Sequence, residues 1–212
     1  MDKSFISIKS LSKNFNENEI IKNLSAEITK GDLVKVSGKN GSGKTTLFKI
    51  LCQLYTFESG NIFIDGKEIN KNSFVKSITS YCSSDSIYYK DLKVKNNIIF
   101  YFDVLGELNP NDLYTNNKKF LNLESFEDKY PEELSNGQKK RMNLFRCLIP
   151  SFEIYLLDEP ELGLDLESIT ELSSKLTEIN KLGKTILFST HNLDSVDFYQ
   201  RFKKEILLWK IS

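Results

Sequence analysis

Within one short stretch, Gly38-Lys39-Asn40-Gly41-Ser42-Gly43-Lys44-Thr45 combines close-approach glycines, a cation and a hydroxyl. The order fits G-x-x-x-x-G-K-[ST] at every fixed position. Glycines let a backbone wrap closely enough for its N–H groups to converge on phosphate oxygens. Lys44 supplies a point charge suited to β- and γ-phosphates, Thr45 supplies a hydroxyl suited to Mg²⁺, and Thr46 follows in the same site. A second group, Asp158-Glu159, closes the apolar run Ile154-Tyr155-Leu156-Leu157. Alone, such a pair often does no more than cap a strand. Beside a phosphate loop it has a use: Asp158 holds Mg²⁺, commonly through water, and Glu159 orients and polarises an attacking water as general base.

These residues need elements to hold them. Leu33, Val34 and Val36 read as a short strand ending at Ser37-Gly38. After the loop, Leu47, Ile50, Leu51 and Leu54 recur at helical spacing, which predicts a helix over 45–54. Its N-terminus adds a dipole favourable to an anion. The unbroken run 154–157 suits a strand buried on both faces, and in open α/β sheets ligands bind at the carboxyl ends of such strands.

The rest of the chain completes the pattern. Phe5, Ile6 and Ile8 read as one strand, and Ile20 to Ile28 as another strand or a pair. Residues 61–65 alternate before the Asp65-Gly66 turn. The middle third reads as helices over 95–105 and 137–148, with Pro110 and Pro131 barring one long helix between them. Alternation returns with a helix over 166–180, a strand over 185–188, a helix over 192–202 and a strand over 205–209. This is an α/β pattern with a mainly parallel sheet, an N-terminal antiparallel β region and a helical insertion. We expect one domain over 1–212, with 1–84 and 150–212 as its core and 85–149 as the insertion.

Composition removes other classes. Hydrophobic residues at 40% and charged residues at 27% argue against disorder. Lys plus Arg and Asp plus Glu are 29 each, so bulk charge gives no support to nucleic-acid binding. No stretch approaches the roughly 18 apolar residues of a membrane span. Cys52, Cys82 and Cys147 are odd in number and widely spaced, which disfavours a disulfide framework and a zinc site and suits reduced thiols.

One further motif points to a family. Leu134-Ser135-Asn136-Gly137-Gln138 resembles the L-S-G-G-Q signature of ATP-binding cassette (ABC) ATPases, and it precedes the acidic strand as it does there. The Ser135 hydroxyl, the Gly137 backbone and a helix N-terminus form a second phosphate site, with Asn136 and Gln138 in the same motif. Asn136 stands where the family has its first glycine, and asparagine tolerates left-handed backbone. Gly163-Leu164-Asp165 is similar to the D-loop. His191, in Ser189-Thr190-His191, is similar to the switch histidine that bonds the γ-phosphate. Phe15 sits where the family has an aromatic that stacks on adenine. Within Ser80-Tyr81-Cys82-Ser83-Ser84-Asp85, Ser84 falls where the family has a glutamine that contacts Mg²⁺, unless Asp85 takes that place.

The resemblance implies a P-loop NTPase of ABC type that uses ATP and Mg²⁺ and hydrolyses ATP. Two such domains pair head to tail, so a homodimer is expected, with separate transmembrane permease subunits as further partners and no nucleic acid. A cytoplasmic protein peripheral to a membrane follows. Residues 95–106 resemble the matching helix of exporter-type cassettes, which slightly favours export. The alternatives are a soluble ABC ATPase in a non-transport assembly and an ATP-binding module with weak turnover, the latter suggested by Ser84.

Overall fold

The computed structural model describes residues 4–69, 74–83, 88–190, 197–202 and 204–208. Two sheets form the frame. β1 (Ser4–Phe15), β2 (Asn18–Thr29), β4 (Ser59–Ile64) and β5 (Lys67–Glu68) make an antiparallel sheet in the order β2-β1-β4-β5. β3 (Leu33–Ser37), β6 (Thr79–Cys82), β7 (Ile154–Asp158), β8 (Thr185–Ser189) and β9 (Lys204–Leu207) make a parallel sheet in the order β6-β7-β8-β3-β9. The region over 20–28 is therefore part of a single strand, β2.

The central parallel strands β7 and β8 carry unbroken apolar runs because the sheet is covered on both faces there. Val34, Val36, Ile154, Leu156 and Leu187 point to one core, shared with the antiparallel sheet and with α1 (Lys44–Leu51). Leu33, Tyr155, Leu157, Ile186 and Phe188 point to the other, shared with α3 (Val94–Val104), α5 (Asn136–Leu148) and α6 (Leu166–Lys181). Alternate side chains of one strand thus serve opposite cores, as a pleat of period two requires.

α1 ends earlier than its spacing predicts. Cys52 caps it, Gln53 turns to φ 58°, and Leu54 is 60% exposed rather than on the apolar face. Two short elements lie where no pattern announces them: α2 (Phe74–Ile78) and β6. Pro110 does not merely interrupt a helix; it opens α4 (Pro110–Asn117), where its missing N–H is no loss. Near the C-terminus a 3₁₀ turn spans Asp197–Arg201, and the rest of the helix expected over 192–202 lies mostly outside the described residues, as does Trp209.

β3 and β7 flank β8, so the residues that follow β3 and end β7 emerge at the same sheet edge. Asp158 is in register with Ser189. That edge carries the chemistry.

Candidate functional site

The loop after β3 closes on itself before α1 begins. Ser42 N–H donates to the Lys39 carbonyl at 3.0 Å, and Leu47 N–H to the Gly43 carbonyl at 2.8 Å. Two glycines are needed sterically. A Cβ on Gly38 would lie 2.2 Å from Ser42 Oγ and 2.5 Å from the Leu208 carbonyl oxygen. Gly43 has φ 97°, and a Cβ there would lie 3.0 Å from Ile20 Cγ2. Lys44 Nζ curls back to donate to the carbonyls of Gly38 at 2.8 Å and Lys39 at 3.3 Å. The Ser42 hydroxyl is buried with no hydrogen-bond partner among the described residues. An orphaned hydroxyl inside a loop whose lysine rests on its own carbonyls is what a phosphate would complete.

The acidic pair is fixed by neighbours from two other elements. Asp158 is buried, its Oδ2 accepts from Thr45 Oγ1 at 2.6 Å, and its Oδ1 accepts from Ser189 Oγ at 2.7 Å. Thr45 and Asp158 present hard oxygen donors side by side, which suits Mg²⁺. Among the described residues no group of three His, Cys, Asp or Glu gathers that could form an all-protein metal cage. A magnesium site that takes much of its coordination from substrate phosphates and water needs none.

Glu159 has φ 47°, left-handed backbone that costs a side-chain-bearing residue about 1–2 kcal/mol. Its N–H donates to both the carbonyl and the hydroxyl of Ser189, at 3.2 and 3.1 Å. Its carbonyl accepts from Lys140 Nζ at 2.9 Å. Two residues further, the Glu161 carboxyl is pushed up by burial, and it accepts from Thr190 Oγ1 and, at 3.2 Å, from Tyr199 OH.

A cleft of about 420 Å³ brings many of the expected residues together. Asn40, Gly41, Gly43, Lys44, Thr45 and Thr46 line it from the loop side, joined by Glu159 just after β7 and by Phe15 and Ile20 from the β1–β2 hairpin. Phe15 is 40% exposed, lies edge-on to Tyr55 at 5.5 Å, and has Lys13 Nζ 5.0 Å from its ring centre.

The signature-like residues lie elsewhere; Ser135, Asn136, Gly137, Gln138 and Asp165 do not line this cleft. Ser135 and Gln138 form a capping box at the start of α5: Gln138 N–H donates to Ser135 Oγ at 3.2 Å and Ser135 N–H to Gln138 Oε1 at 3.0 Å. Asp165 caps α6, accepting from Ser168 N–H at 2.9 Å, and the bonds from Ser168 hold its carboxyl below 3.8. The two motifs abut, since a Cβ on Gly137 would lie 3.2 Å from the Gly163 carbonyl. Ser84, Asp85 and His191 lie outside the described residues.

Three site residues escape the sequence reading. Ile20 carries no spacing signal. Ser189 appears only as the start of the histidine motif, although it faces the acidic strand in register. Lys140 sits in Lys139-Lys140-Arg141, a run that looks solvated, yet it is buried.

The family model described as ABC transporter matches residues 21–161, the span that holds the phosphate loop, the Ser135 motif and the acidic pair. The chain belongs to the ABC transporter family. This cassette is 32% identical to the spermidine/putrescine import ATP-binding protein PotA of Thermotoga maritima over 88% of the chain and 52% of that relative. It is 30% identical to the bacitracin export ATP-binding protein BceA of Halalkalibacterium halodurans over 91% of the chain and 80% of that relative. The chain spans about half the length of several of the curated relatives it matches. In fold it is similar to the dimeric structure of MJ0796, a bacterial ABC transporter cassette, with a TM-score of 0.86 at 22% identity, covering 97% of this chain and 94% of that one. The parallel and antiparallel sheets of the ABC fold are thus both present. Phe15, Asp165 and His191 lie outside the matched span.

Proposed function

We propose that this cassette binds ATP in the cleft beside Lys44, hydrolyses it, and thereby drives separate transmembrane subunits of a transporter. The observation that carries the reading is the Thr45–Asp158–Ser189 chain of bonds, which joins the phosphate loop to the acidic pair across the β8 edge. Phe15 stacks on adenine. The loop N–H groups and Lys44 hold the β- and γ-phosphates. Thr45 and Asp158 hold Mg²⁺, with residue 84 or 85 as a further contact; when bound, the ion offsets charge on the phosphates. Glu159 orients the attacking water and accepts its proton, and His191 bonds the γ-phosphate.

In this reading residues 1–212 act as one nucleotide-binding domain, with 85–149 as its helical insertion. The Ser135 motif and Asp165 then serve a nucleotide held by a second copy, and two copies pair head to tail. The exposed apolar side chains Phe100, Val104, Leu105 and Leu108, on and just after α3, are the proposed seat of the membrane partner. In this reading the membrane spans belong to that partner, and the cassette works on its cytoplasmic face; no described helix is long and apolar enough to cross a membrane. Export is favoured by α3 alone; the named relatives serve both directions.

Steady-state phosphate release from MgATP tests the reading. Release by the wild type, abolished by Lys44→Ala, is expected. Release that survives this substitution places the chemistry elsewhere.

A further inference from the structure

We propose that Lys140 is a positioning residue for Glu159, and that through it the helix opened by the Ser135 motif sets the geometry of the acid in its own chain. The inference rests on the reading of Glu159 as the general base. Lys140 lies in the second turn of α5, is 7% exposed, and donates to the Glu159 carbonyl at 2.9 Å. A buried ammonium needs polar partners to offset its lost hydration, so its place on a backbone carbonyl is specific rather than incidental.

What it holds is a strained residue. Glu159 sits at φ 47°, a conformation that persists only where the surroundings over-determine it. Ser189 grips the N–H of Glu159 from β8, and Lys140 grips its carbonyl from α5. With the second grip gone, the backbone relaxes and the carboxylate swings with it. The first turn of α5 touches the same segment again, at Gly163, through the close approach of Gly137. One helix therefore contacts the acidic segment at two points while its N-terminal motif does not line the cleft. A shift at Ser135 reaches Glu159 through a rigid body.

Lys140→Met removes the donor and keeps an apolar stem, whereas Lys140→Arg keeps a donor. We expect Lys140→Met to lower kcat for ATP hydrolysis by about tenfold or more with KM for ATP changed by less than about twofold, and Lys140→Arg to recover most of the loss. Amide hydrogen exchange in the nucleotide-free protein, read on a peptide covering 157–162, is expected to speed up in Lys140→Met. Should methionine be poorly tolerated in folding, Lys140→Leu, which also lacks a donor, is expected to give the same split of kcat from KM. Unchanged kcat in a folded variant, or a rise in KM with kcat retained, overturns the inference and leaves the functional reading standing. A wild type whose phosphate release is indifferent to Lys44→Ala overturns both.

Discussion

Asp158 has two carboxylate oxygens, and each has a fixed hydroxyl against it, from Thr45 on one side and Ser189 on the other. The carboxylate cannot rotate without breaking one of them. Ser189 matters twice, because the same hydroxyl accepts from the Glu159 N–H. We expect Ser189→Ala to destabilise the fold by about 1–3 kcal/mol, the cost of leaving buried polar groups unsatisfied, and to lower kcat as well. Urea unfolding and phosphate release on the same preparation check both. Phe15 is a contrasting case. It lines the cleft on a hairpin and is half exposed, so Phe15→Ala is expected to raise KM for ATP severalfold with kcat near that of the wild type, as loss of ground-state stacking does. A fall in kcat at constant KM would argue against the stacking role. The phosphate loop was legible at this scale because its sequence is its geometry. Ser189 and Lys140 were not, because their partners, Asp158 and Glu159, are distant from them in the chain, and spacing cannot report those.

At the scale of elements, the two exposed motifs turn out to be helix caps. Ser135 caps α5 and Asp165 caps α6. Asp165→Ala is expected to cost about 1 kcal/mol at neutral pH. The folded carboxyl titrates below its ordinary value, so its contribution is present above pH 3.8 and fades as the pH falls through the folded value. The stability gap between variant and wild type, followed by thermal unfolding, should narrow in acid; a gap that widens there reverses the sign. The long elements were readable from pattern. Residues 154–157 are unbroken and apolar because both faces of β7 are covered, and α6 buries Leu172 and Leu176 one turn apart. β6 was not readable, because Thr79-Ser80-Tyr81-Cys82 buries two hydroxyl side chains and shows no apolar run. Its place is set by pairing with β7, and by the Ser80 hydroxyl bonding the Cys147 carbonyl of α5 at 2.8 Å. α4 was hidden by composition: Pro-Asn-Asp-Leu-Tyr-Thr-Asn-Asn is a poor helix former whose helix is anchored by the buried Tyr114.

At the scale of the molecule, head-to-tail pairing is the main expectation. Glu159→Gln leaves the binding groups in place and removes the base, so a preparation with MgATP is expected to elute as a dimer from a sizing column, and as a monomer without nucleotide. A monomer under both conditions would rule out self-pairing. The separation of the Ser135 motif from its own chain's cleft has a genetic consequence. Two inactive alleles, Lys44→Ala and Ser135→Ala, should rescue each other when expressed together. Mixed pairs join the sound loop of one chain to the sound signature of the other, and random assortment at equal dose restores about a quarter of the active sites. An allele carrying both defects in one chain rescues neither. Complementation within a single gene would thus map which half-sites meet, before any complex is isolated.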